Sequence, residues 1–194
     1  MSLKLNSKQL TFVAIMAALG NVLTFISIQL APIAPNIPMT NISVAFDLSH
    51  IASFVTAFFG GPLAGGLAGL LGGLVSAFEF GFSKGYVETG LLLPLAKGIT
   101  GLTAGLIFSR INMDNKRYIM VVSTVLSYIP EGIITYLIFI YMYPALYGMP
   151  DFIASAVASS ILMKAFVEMV VLGLLMMWIT ANKAFTEYTK SQFN

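Results

Sequence analysis

The sequence has little charge. Only 9% of its 194 residues are Asp, Glu, Lys or Arg, against about a quarter in soluble domains. A soluble fold of this size needs a polar exterior. A chain that is 58% hydrophobic, with a mean hydropathy of +0.89, cannot supply one. A lipid-facing exterior removes the conflict. Cysteine is absent, which excludes disulfides, thiolate metal sites and cysteine nucleophiles. His50 is the single histidine, and a lone histidine without cysteine is a poor ligand set, so no metal is expected. No Gly-x-x-x-x-Gly-Lys-Ser/Thr loop is present, so the chain does not use ATP in that way. No His-Glu-x-x-His pair marks a metallohydrolase. Nothing calls for a cofactor. The net charge of +2 is small and spread in a way that does not suggest a nucleic-acid partner. These absences point away from an enzyme.

What is present is a series of apolar runs, several long enough to cross a bilayer, which takes about 20 residues. They predict an all-α integral membrane protein, a single transmembrane domain over 1–194 with six transmembrane helices. The helices are expected at 9–31, 48–59, 62–78, 91–109, 118–143 and 152–180. Lys4 and Lys8 before the first run resemble a signal peptide. That run is too long and lacks a small-residue cleavage site, so it reads as a retained helix. Pro32, Pro35 and Pro38 break the helix over 32–45, a segment apolar enough to fold back over the protein. The second helix is short, and Gly60-Gly61-Pro62 predicts a sharp turn after it. A loop is expected at 79–90, and Pro144, Gly148 and Pro150 mark another.

An even number of spans puts both termini on one side. That side then holds Lys4, Lys8, Arg110, Lys116, Arg117, Lys183 and Lys190, and the opposite loops hold only Lys84. Basic residues concentrate in cytoplasmic loops, so N- and C-termini are expected to be cytoplasmic. Trp178 reads as an anchor at the inner interface.

Gly61, Gly65, Gly69 and Gly73 recur every four residues, beside Ala64 and Ala68, and Gly101 and Gly105 repeat the pattern. Small residues at this spacing let helices pack closely, and internal packing is the reading. Ala14-x-x-x-Ala18 on the first helix admits that reading too, or a flat face for docking another membrane protein.

Four residues of the Asp, Glu, Lys and Arg types fall inside predicted helices: Lys97, Glu131, Lys164 and Glu168. Each costs about 2.5–3.5 kcal/mol at the bilayer centre on insertion scales. Lys164 and Glu168 share a face. The set reads either as an ion-pair cluster pinning three helices or as a binding or transport site, and both stay open. Asp47 reads as a cap for the second helix and His50 as a polar residue at a helix start. Glu88, on the outer side just before the fourth helix, is a candidate contact.

Several segments together resemble a known family: the Ala14-x-x-x-Ala18 helix, the proline-bearing outer loop, Asp47-Leu-Ser-His-Ile-Ala-Ser-Phe, and Phe59-Gly-Gly-Pro-Leu-Ala-Gly-Gly-Leu-Ala-Gly. The chain is similar to the substrate-binding S component of energy-coupling factor (ECF) transporters, the prokaryotic vitamin importers, over nearly its whole length. The resemblance implies an ECF S-component-like bundle in the cell membrane that binds a vitamin-like small molecule near its outer face. It implies docking, through Ala14 and Ala18, on a transmembrane coupling subunit joined to two cytoplasmic ATPases, with the ligand delivered by toppling in the membrane. It places the ligand among the first loop, the 79–90 loop and the outer halves of the last three helices. Asn41, Glu88, Lys97, Glu131 and Lys164 lie there, with Glu168 one turn beyond Lys164. Thiamine-binding members use tryptophans near the ligand, and Trp178 is on the wrong side. The histidine-bearing N-terminus of the cobalt and nickel members is absent. Riboflavin, pantothenate, folate, pyridoxine and queuosine-type compounds remain open. A different reading is an autonomous secondary transporter coupled to protons through Glu131 or Glu168. Such folds often show internal repeats, and none is evident between the halves.

Overall fold

The computed structural model describes residues 5–31, 47–111 and 118–182, with 184, 186, 187 and 189. The described residues form helices and turns, with no strand among them. Helix α1 (Ser7–Leu30) opens with a reciprocal cap. Gln9 N donates to Asn6 Oδ1 at 2.8 Å, and Asn6 N donates to Gln9 Oε1 at 3.0 Å. Such a cap is worth about 1 kcal/mol. Val13, Ala17, Gly20 and Thr24 form the buried stripe of α1, at the spacing of one helix face. Leu10, Ile15, Val22 and Phe25 are exposed on its other sides, as lipid contact requires.

Helix α2 (His50–Gly72) is broken at Gly61, where φ is 81°. An L side chain disfavours that conformation, and Pro62 then suits the first turn of a new helix. The chain reverses here. A methyl group built on Gly65 would come within 2.8 Å of the Ala57 Cα, whereas eight residues of straight helix span about 12 Å. The turn expected at 60–62 is therefore present, and residues 50–60 and 62–72 form a helical hairpin. By length and composition the described residues contain five membrane-capable stretches: Ser7–Leu30, His50–Lys84, Val87–Phe108, Ile119–Tyr147 and Asp151–Ala181. The two helices read from the sequence at 48–59 and 62–78 correspond to the second of these.

A short helix α3 (Leu74–Phe80) follows an interruption at Gly73. Asn21 of α1 supports that joint. It donates to the Leu71 carbonyl at 2.9 Å and accepts from Val75 N at 2.9 Å, satisfying backbone groups near the break. The predicted 79–90 loop is shorter than expected. α3 runs to Phe80, one tight turn occupies Phe82–Lys84, and α4 (Val87–Phe108) begins early enough to put Glu88 in its first turn. Gly85, at φ 80°, allows the turn to close so sharply.

Helix α5 (Ile119–Leu137) does not end at Pro144. A widened turn over Ile138–Met142 leads into α6 (Tyr143–Tyr147), which stops at Gly148, φ 63°. Pro144 lies in the first turn of α6, where a missing N–H costs little, and the widened turn absorbs the irregularity. Helix α7 (Asp151–Ala181) has 31 residues and spans about 46 Å.

The second arm of α2 packs on α4 backbone to backbone. Cβ positions built at Gly65, Gly69 and Gly73 meet the main chain of Gly101, Lys97 and Pro94, and one at Gly105 meets Pro62. The numbers fall on one helix as they rise on the other, so the arms run antiparallel. The glycines thus serve internal packing. Phe54, Met120, Met169, Leu172 and Met176 fill the space between α2, α5 and α7.

Candidate functional site

Lys97 lies in the middle of α4 and is 5% exposed. Its ammonium donates to Asp47 Oδ2 at 3.2 Å, Ser49 Oγ at 2.7 Å and Ser76 Oγ at 3.0 Å. An ammonium has three protons, so each has a partner. The glycines of α2 make this possible, since a side chain at Gly69 would collide with the Lys97 backbone.

Asp47 uses its groups separately. Oδ1 accepts from Ser49 N at 2.9 Å, while Oδ2 pairs with Lys97. Asp47 is not the helix cap expected from the sequence, because α2 begins at His50 and Ser49 occupies the capping position without a side-chain cap bond. Its backbone N–H donates to Glu168 Oε1 at 2.8 Å, and Lys164 Nζ lies 3.6 Å from the same oxygen. Burial pushes the Asp47 carboxyl up, but Lys97, His50 and the Ser49 hydrogen bonds outweigh it and hold it well below the usual carboxylate range.

Glu131 of α5 is buried. Its Oε2 accepts from Thr100 Oγ1 at 2.6 Å, and Oε1 lies 3.5 Å from His50 Nε2. Pro130 precedes it inside the helix. The Tyr128 ring stands edge-on to His50, with centroids 6.1 Å apart. Four of the predicted residues, Lys97, Glu131, Lys164 and Glu168, thus join one polar cluster drawn from α2, α4, α5 and α7.

Glu88 is placed elsewhere. It precedes Lys97 by nine residues, which on a helix is about 13 Å and two and a half turns, so it faces the opposite way. Tyr147 Oη donates to its Oε2 at 2.6 Å, and the Tyr86 ring packs on Tyr143 and Tyr147, each with centroids 4.8 Å apart. Asn41 lies outside the described residues. Ala14 and Ala18 are exposed on α1, next to the buried Val13 and Ala17.

Asp47, His50, Ser49, Ser76 and Thr100 belong to this cluster and were not assigned to a candidate site by the sequence reading. Thr100 had a usable signal, because it falls three residues after Lys97 on the same face. A larger groove of about 380 Å³ opens between α5 and α7, lined by Tyr128, Gly132, Tyr136, Leu162, Phe166 and Met169. It carries no charged side chain, in contrast to the cluster that begins behind Tyr128.

A family model, the substrate-specific component of ECF transporters, matches residues 8–180. The chain belongs to this family. Searches of curated proteins and of solved structures return no match. ECF substrate-specific components are membrane-embedded, substrate-binding transport subunits and not enzymes, and the apolar helices of this chain agree with that. Membership implies a small-molecule substrate and a membrane and ATPase partner module.

Proposed function

We propose that the chain captures a vitamin or related micronutrient at the outer face of the cell membrane and delivers it through an ATP-driven ECF complex. The observation that carries this reading is the cluster itself. Lys97, Glu131, Lys164 and Glu168 lie within membrane-capable helices and meet Asp47 and His50 there, where apolar packing would stabilise the helices at lower cost. Lys97, Glu131, Lys164 and Glu168 are proposed to form the floor of the substrate site, with Glu88 and Asn41 as contacts nearer the outer surface.

The reversal at Gly61 supports counting the arms of α2 separately, which gives six spans. The basic residues then put both termini in the cytoplasm. The exposed small face at Ala14 and Ala18 is proposed to dock on a transmembrane coupling subunit that carries two ATPases.

The test is to purify the protein in mild detergent, denature it and identify released small molecules by mass spectrometry. A stoichiometric vitamin-like compound is expected, bound at least about tenfold more weakly by folded Lys164→Ala, a loss of about 1.4 kcal/mol. Equal affinity in the folded variant removes Lys164 from the site.

A further inference from the structure

Three carboxylates, Asp47, Glu131 and Glu168, share the cluster with two ammonium groups, Lys97 and Lys164. The segment 32–46 before Asp47 has no ionisable residue, so it adds no balancing charge. Lys97 pairs with Asp47, and Lys164 with Glu168. Glu131 is left with the His50 imidazole and the Thr100 hydroxyl. With the three carboxylates and both ammonium groups ionised and His50 neutral, the cluster carries one excess negative charge, in a medium where unbalanced charge is costly.

A second observation comes from His50. Its side chain is 6% exposed, and Nδ1 has no hydrogen-bond partner. The ring borders a cavity of about 10 Å³ with Ser49, Ser53, Gly69 and Lys97, a space for about one water. If Nε2 carries the proton and donates to Glu131, Nδ1 is an acceptor without a donor. If both nitrogens are protonated, Nδ1 is a buried donor without an acceptor. Either way the ring has one unmet hydrogen bond beside the unbalanced carboxylate.

We propose that the substrate is an organic monocation with an N–H donor, a protonated amine or protonated nitrogen heterocycle, that sets its charge against Glu131 and its donor toward His50. The proposal rests on the reading of the cluster as the substrate site. A carboxylate or phosphate ester would add to the negative excess and is disfavoured. In the empty protein a proton balances the cluster. The charged and titratable groups around His50 are Asp47 just before α2, Lys97 on α4, Tyr128 and Glu131 on α5, and Glu168 with its partner Lys164 on α7, and of these only the carboxylates, with the imidazole itself, can take that proton. Binding exchanges one cation for one proton released to solvent, with no covalent bond made or broken. The small cavity does not hold a vitamin, so the helices around Glu131 separate as the cation binds.

The experiment uses a total polar metabolite extract, split by ion exchange into cationic, neutral and anionic pools. Each pool is added to the purified protein in detergent, and the melting temperature is read. The cationic pool is expected to stabilise it. The active compound, once isolated, should bind about tenfold more tightly per unit rise in pH, as one-proton exchange requires, and Glu131→Gln should flatten that slope. If this variant does not fold, proton release on mixing the compound with wild-type protein in weak buffer decides, and about one proton is expected. Stabilisation by only the neutral or anionic pool overturns the monocation and leaves the substrate site standing. A pH-independent affinity without proton release overturns the exchange. No stabilisation by any pool overturns the substrate-site reading and this proposal with it.

Discussion

Asp47 and Lys97, fifty residues apart in the chain, form a 3.2 Å ion pair, and the Asp47 backbone N–H is held by Glu168 from α7. One residue thereby ties the start of α2 to two other helices. Asp47→Asn removes the charge opposite the buried Lys97 ammonium and leaves one amide oxygen for the two donors, Ser49 N–H and Lys97 Nζ, that Asp47 serves with two. The expected cost is about 1–3 kcal/mol, read as a lower melting temperature in detergent. Adding Lys97→Met removes the stranded charge, so the double variant should be more stable than the sum of the single losses predicts. Additive losses would show that the pair is not coupled. The pH dependence has a definite sign. The folded carboxyl is held below its ordinary value of 3.8, so its contribution is full above about pH 4 and is lost as pH falls below that. Asp47→Asn should flatten this acid limb.

Gly101→Val should prevent folding, because the new side chain would enter the backbone of the second arm of α2 at Gly65. Gly66→Ala is the control, since its methyl group meets Leu102 Cβ at 3.3 Å and Gly98 O at 3.4 Å and needs only a small shift. Size-exclusion chromatography of the membrane extract separates the outcomes. A monodisperse Gly101→Val peak would contradict the packing described.

Ala14→Trp with Ala18→Trp should leave substrate binding unchanged, because both positions are exposed on α1, and should abolish co-purification with the coupling subunit and ATPases. A complex that still assembles would move the docking face elsewhere. Uptake by the protein alone in vesicles, with no ATPase present, would favour the proton-coupled transporter.

Glu88→Gln should weaken substrate binding by less than about tenfold, or 1.4 kcal/mol, and less than Lys164→Ala does. Glu88 lies two and a half turns from Lys97 on α4 and is engaged by Tyr147. A larger loss than that of Lys164→Ala would move the centre of the site toward the tyrosines.

The charged part of the site was legible because a lysine or glutamate in an apolar helix stands out from everything near it. Lys97, Glu131, Lys164 and Glu168 needed no tertiary information to be singled out. Asp47 reads as a helix cap, but the helix starts three residues later at His50, and the Asp47 Oδ1 holds only the Ser49 N–H before that start. The task of its Oδ2 was not legible, since that depends on a partner fifty residues away. His50 was hidden for the same reason, as its carboxylate partner lies on another helix. Gly61 declared the reversal through its neighbours, Gly60 and Pro62. Pro144 misled, because a proline reads as a helix end unless it falls in a first turn, and the widened turn that puts it there has no simple sequence signature.

The contact between the second arm of α2 and α4 is made largely of main chain, with Leu70, Lys97 and Leu102 among the side chains that enter it, so it has few side chains that could rotate to accommodate sliding. These two segments are bound to travel as a single plank, and Lys97 travels with them. The lining on the α5 and α7 side is built instead from tyrosine, phenylalanine, leucine and methionine, which have rotamers to spare. Any breathing that admits a molecule to Glu131 therefore belongs to α5 and α7, with the plank as the fixed wall against which they move.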